Sequence, residues 1–168
     1  CLILMNHGVF TFGDSARESY ERMIDVVSRA EAYLDAAEAM ESADAPPPLD
    51  GQLDGSGLRS LATLRLELGR TRGQPVLARL DQTSEARAFA DSDAVETVAS
   101  RGPLTPDHVI RTKPLPLVAA EDWGSAISKY AHAYHEYFER NARPEHARLD
   151  PAPRWVVWPG VGSVGVGD

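Results

Sequence analysis

Apolar and polar positions follow two periods along this chain, and the switches between them mark out short strands and long helices. Leu2 to Met5 is a continuous apolar run, the pattern of a strand covered on both faces. Asn6-His7-Gly8 interrupts it, Val9 to Phe12 resumes as a second short strand, and Gly13-Asp14 turns the chain. Helical spacing follows. Tyr20, Met23, Ile24, Val27, Ala30 and Leu34 share one face, and Ser15 with Glu18 has the capping-box spacing that satisfies two orphan amides of a first turn. This helix is expected to run to about Met40. Residues 41–57 break the pattern: acidic first, then Pro46-Pro47-Pro48, then glycine-rich, as in a linker or surface loop.

Beyond residue 57 the pattern predicts a helix over Leu58 to Leu68, a strand over Val76 to Leu80, and one or two short helices within 84–100. Residues 102–114, with prolines at 103, 106 and 114, read as a loop. A long helix is expected from Asp122 to Asn141, with Trp123, Ile127, Tyr130, Tyr134 and Phe138 on its apolar face. Trp155 to Trp158 and Val161 to Val166 read as short strands around Pro159-Gly160. Strands alternating with helices predict an α/β fold: a central mixed sheet flanked by helices, with an α+β extension.

Composition narrows the function classes. With 168 residues the chain can build a real core, and 43% hydrophobic against 25% charged residues is the balance of a globular protein. A formal net charge of -8 argues against a nucleic-acid binder, which normally shows a basic face or stripe, and argues weakly against an anionic membrane surface. Cys1 is the one cysteine, so no disulfide forms within the chain and a reducing, cytoplasmic setting is expected. There is no signal-peptide pattern and no apolar stretch of membrane-spanning length. The apolar opening without an initiator Met, and the glycine-rich close at 160–168, read as the ends of an internal segment.

Four groups carry candidate chemistry. His7 lies between two apolar strands, beside a glycine that admits a close approach. Neutral imidazole is the commonest zinc ligand, and a hydrogen-bonded core histidine at a tight turn is the bland alternative. Asp107, His108, Arg111 and Lys113 form a compact polar group between Pro106 and Pro114. Arg and Lys suit a sugar phosphate, and Asp107 suits orientation of His108; the plain alternative is a structural loop with solvated or paired charges. His132 and His135 share one helix face with Glu136 beside them, a spacing open to a metal pair but better matched to a solvated face. Gly160-Val-Gly-Ser-Val-Gly165 spells a dinucleotide fingerprint, yet no helix pattern opens at its third glycine and no acid follows about twenty residues on, so a turn and strand fit better.

Leu4-Met-Asn-His-Gly-Val-Phe-Thr-Phe-Gly13, followed by the capped helix with Tyr20 and Glu31, resembles the second half of the class II aldolase/adducin domain. Arg101-Gly-Pro-Leu-Thr-Pro-Asp-His-Val-Ile-Arg-Thr-Lys113 and Leu149-Asp-Pro-Ala-Pro-Arg154 resemble bifunctional rhamnulose-phosphate aldolase/short-chain dehydrogenase proteins. The resemblance implies residues 1–44 as the C-terminal part of an aldolase domain, 45–57 as linker, and 58–168 as a family-specific extension ending before any dehydrogenase domain. It also implies that His7 is the last of three zinc ligands, the other two and the base lying upstream. The implied activity is cleavage of a ketose 1-phosphate to dihydroxyacetone phosphate and lactaldehyde, in a homo-oligomeric parent, with the segment alone inactive. His108, Arg111 and Lys113 are the candidate substrate contacts. An adducin-like binding module and a sugar-phosphate epimerase are the alternatives within the same family.

Overall fold

The computed structural model describes residues 1–5, 8–37 and 53–168. His7 lies outside the described residues, as does the stretch from 38 to 52 that carries the proline run.

The first part is an antiparallel pair, β1 (Leu2–Leu4) and β2 (Gly8–Phe10), with Leu2 opposite Phe10, followed by helix α1 (Ala16–Ala36). The capping box forms: the Ser15 hydroxyl accepts from Glu18 N at 3.2 Å, and Glu18 Oε2 accepts from Asp14 N at 2.8 Å. Thr11 and Ser19 exchange side-chain-to-carbonyl bonds at 2.8 and 2.9 Å, which fastens the end of the hairpin to the first turn of α1. The expectation of a buried first strand is corrected. Leu2, Ile3, Leu4 and Met5 are all exposed, and no residue of α1 is buried. A continuous apolar run signals a strand that needs cover, and among the described residues β1 pairs only with β2.

The second part holds the core. Helix α2 (Gly55–Arg72) starts three residues before the pattern predicts, because Asp54 caps it: its carboxylate accepts from Gly57 N at 2.7 Å. It ends on Gly73 in the left-handed region. Strand β3 (Leu77–Asp81) follows, then short helices α3 (Ser84–Ala90), α4 (Val95–Ala99) and α5 (Pro106–Thr112). Helix α5 corrects the loop expected there: a proline at the first helical turn lacks only an amide that would be orphaned anyway, so it starts the helix instead of excluding it. Strand β4 (Leu117–Val118), too short for periodicity to show, precedes helix α6 (Trp123–Asn141) and the hairpin of β5 (Trp155–Trp158) and β6 (Gly162–Gly167).

Four strands form one mixed sheet in the order β3-β6-β5-β4, antiparallel except for the parallel pair β4–β5. Alternation along β5 sets its two faces. Val156 and Trp158 join Leu64 and Leu68 of α2 and Trp123 and Ile127 of α6 in the main core. Val157 points the other way, to Ala90 and Val95, with Trp155 and Phe89 beside them. Helices therefore cover both faces of the sheet. Trp123 makes an edge-to-face contact with Trp158, centroids 5.1 Å apart, and its indole N–H donates to Ser60 Oγ at 2.8 Å, joining α6 to α2.

The glycine-rich stretch is the turn of that hairpin. Val161 N donates to Trp158 O at 3.0 Å, with Pro159 at the second position and Gly160 at φ 79 in the third, as in a type II turn. Gly162 sits at φ 140, where an added Cβ would lie 2.2 Å from Asp81 O. Gly165 has no heavy atom within 4 Å of that position. Gly162→Ala is therefore expected to cost about 2 kcal/mol or more of stability in urea unfolding, while Gly165→Ala stays within about 1 kcal/mol of the parent chain. Equal stability of the two variants would refute this account of the hairpin.

Candidate functional site

Of the residues nominated within 101–114, His108 and Lys113 border one cavity, whereas Asp107 and Arg111 do not, and the arrangement depends on how Lys113 is tied down. Lys113 closes α5 at φ 64, a backbone region that costs a non-glycine residue strain. Its side chain is 3% exposed, and its ammonium donates to Ala152 O at 2.6 Å and to Asp150 O, 4.2 Å from the Tyr134 ring centre. Burial pulls the ammonium down from 10.5 to about 8, although the neighbouring Asp150 carboxylate opposes the shift. Asp150 is itself a hub. Burial acts against its charge, but a forked pair with Arg154 and a bond from Ala152 N at 3.2 Å hold it below the usual carboxylate range. Arg72, the last residue of α2, approaches Asp150 at 3.8 Å and donates to Gly167 O at 3.1 Å. The Tyr130 hydroxyl donates to Leu115 O at 2.9 Å, and burial pushes that phenol up.

In front of this anchor is an open cavity of about 510 Å³. Phe89 and Trp155 stand stacked in its wall with centroids 5.9 Å apart; Val98, Pro103, Leu104 and Pro114 continue the apolar lining. Arg101, His108, Thr112 and Lys113 supply its polar groups. Gly102 lets the wall close, since a Cβ there would lie 3.1 Å from Pro114 O. The His108 ring Nδ1 meets Thr105 Oγ1 at 2.7 Å.

Of the residues nominated from sequence, His108 and Lys113 therefore face one cavity; Arg111 is exposed on α5 and is absent from its lining. His132 and His135 are exposed and lie 3.5 and 3.8 Å from Glu136 and Glu139, one turn further along α6. Among the described residues no three His, Cys, Asp or Glu side chains are placed to hold one metal ion. No helix among them is long and apolar enough to cross a membrane. Asp150 and Arg154 were not nominated. The signal for them was an acid and a base four residues apart around two prolines, a spacing that rigid backbone can turn into a forked pair.

Comparison with known proteins adds two positive findings. A family model described as "aldolase class II, second domain" matches residues 57–168. "Uncharacterized oxidoreductase YuxG" of Bacillus subtilis (strain 168) is 22% identical over 183 residues, an alignment covering 99% of this chain and 26% of that protein. The chain thus spans about a quarter of that relative's length. No solved structure matches.

The anchor carries a signed pH dependence. Between about pH 8 and the unfolded lysine value of 10.5, the unfolded chain holds more protons at Lys113 than the folded one, so stability should rise with pH. Near pH 10 the unfolded Tyr130 begins to ionise while the folded phenol does not, and the rise should reverse. Urea unfolding across this range checks both limbs. Lys113→Met should abolish the rise and, by leaving two carbonyls without their donor, cost about 1–3 kcal/mol at pH 7. A rise that survives in Lys113→Met would assign it to another group.

Proposed function

The chain belongs to the aldolase class II, second-domain family, and on that premise we propose that it is a segment of a zinc-dependent aldolase that cleaves a ketose 1-phosphate. The observation that carries the reading is the family match over residues 57–168. The Asn6-His7-Gly8 element between two apolar runs supports it independently, since in the resembling family that histidine binds zinc. A relative that carries the name oxidoreductase, and is about four times as long as the aligned segment, is in keeping with a parent that joins an aldolase region to a dehydrogenase.

On this proposal the parent's substrate resembles rhamnulose 1-phosphate and its products are dihydroxyacetone phosphate and lactaldehyde. The donor set has to be shared. His7 offers one imidazole, and the described residues offer no three-donor group to join it, whereas catalytic zinc takes three protein ligands. On this proposal the remaining ligands and the base are supplied by the parent protein upstream, as the family resemblance implies, and no step of the reaction is routed through the described residues. Zinc, when bound, would polarise the ketose carbonyl and stabilise the enediolate. A homo-oligomeric parent belongs to the same proposal.

Metal analysis of the full-length parent tests it. His7→Ala should lower bound zinc per subunit at least tenfold and remove aldol cleavage, with the unfolding transition of the 53–168 region unchanged. Equal zinc in parent and variant would exclude His7 as a ligand. The 168-residue chain alone should turn over no ketose 1-phosphate, and measured turnover would overturn the shared-site reading.

A further inference from the structure

The cavity between α4, α5 and β5 differs in character from a sugar-phosphate site. A phosphorylated sugar carries a hydroxyl on nearly every carbon, and each needs a partner once removed from water. The walls here are Phe89, Trp155, Val98, Leu104 and three prolines, and the polar side chains among them are Arg101, His108, Thr112 and Lys113. At about 510 Å³ the space is that of a small-molecule pocket.

Charge is the second observation. The chain as a whole is acidic, at -8, yet no Asp or Glu lines this cavity, whereas Arg101, His108 and Lys113 do. Lys113 is spent on two carbonyls, as described above. Arg101 is not: among the described residues its guanidinium has no hydrogen-bond or ion-pair partner. His108 uses Nδ1 toward Thr105; where that hydroxyl donates, the tautomer carries its hydrogen on Nε2, which makes no bond among the described residues. An unspent planar cation and an available imidazole beside a stacked aromatic pair form a complement to a flat apolar body with one planar anionic end.

We propose that this cavity binds a small aromatic carboxylate, its ring system against the Phe89–Trp155 stack and its carboxylate on Arg101, with His108 as second donor. Guanidinium and carboxylate match as a two-point fork, and the stack offers apolar faces without demanding hydrogen bonds. The proposal draws on neither His7 nor zinc, so either reading can fail without the other. It gives the parent protein a place to sense or hold a ligand that is not its sugar substrate.

The experiment is a titration of the ¹⁵N-labelled chain with naphthalene-2-carboxylate and, separately, with its neutral amide. The carboxylate should produce saturable shifts at Gly102, Leu104, His108 and the Trp155 indole, with an affinity at least fivefold above the amide's. Arg101→Gln, a substitution at an exposed position, should bring the carboxylate down to the amide's affinity and leave the amide unchanged; Arg101→Lys should restore part of the difference. Equal affinities for the two probes, shifts centred elsewhere, no saturable binding, or an Arg101→Gln variant that still prefers the anion would each overturn the proposal.

Discussion

The buried ammonium of Lys113 is the contact on which the arrangement of the second part turns. Strands β4 and β5 are parallel and share only two residue pairs, Leu117 with Val156 and Val118 with Val157. A ladder that short cannot hold its register across a crossover containing the whole of α6. Lys113 lies just before β4, and its two acceptors, at 150 and 152, lie just before β5. The tie sets the strands side by side before their own hydrogen bonds begin. The strained backbone at Lys113 persists because the surrounding contacts over-determine it. Asp150 extends the same tie through Arg72 to the end of α2 and the last strand.

A cost and a consequence follow from burying that cation. Desolvation favours the neutral amine, but the two carbonyls, the Tyr134 face and the nearby Asp150 keep the group bonded in either state. Because the ammonium is spent inward, the loop's outward chemistry falls to Arg101 and His108, and the cavity they border keeps apolar walls. The same element thus anchors the fold and decides what kind of ligand the loop can meet. In the first part of the chain, by contrast, no residue of β1, β2 or α1 is buried among the described residues.

Much of this was legible in the sequence where local chemistry decides. Ser15 with Glu18 capped α1 as spaced, the apolar stripe of α6 ran from Trp123 as its period demanded, and the Trp155–Trp158 strand fell on its predicted residues. The glycine-rich stretch after it was readable as a turn and strand because its sequence lacked the helix a nucleotide site needs. The loop read over 102–114 was wrong in part, since prolines signal both a break and a helix start, and only the residues around them in space choose between the two.

What the sequence determined by itself is therefore the set of local elements, through capping, periodicity and turn chemistry, each of which acts within a few residues. Tertiary structure decided the rest. That Gly162 admits the backbone of Asp81, 81 positions away, could not be read from the glycine, because the requirement comes from a strand distant in the chain. That Lys113 is a buried anchor and Arg101 is not could not be read from their types, because both are ordinary surface residues until the fold gives Lys113 two carbonyls and Arg101 no partner among the described residues. Partners close in space and far in sequence set the energy of each group, and no local pattern encodes them.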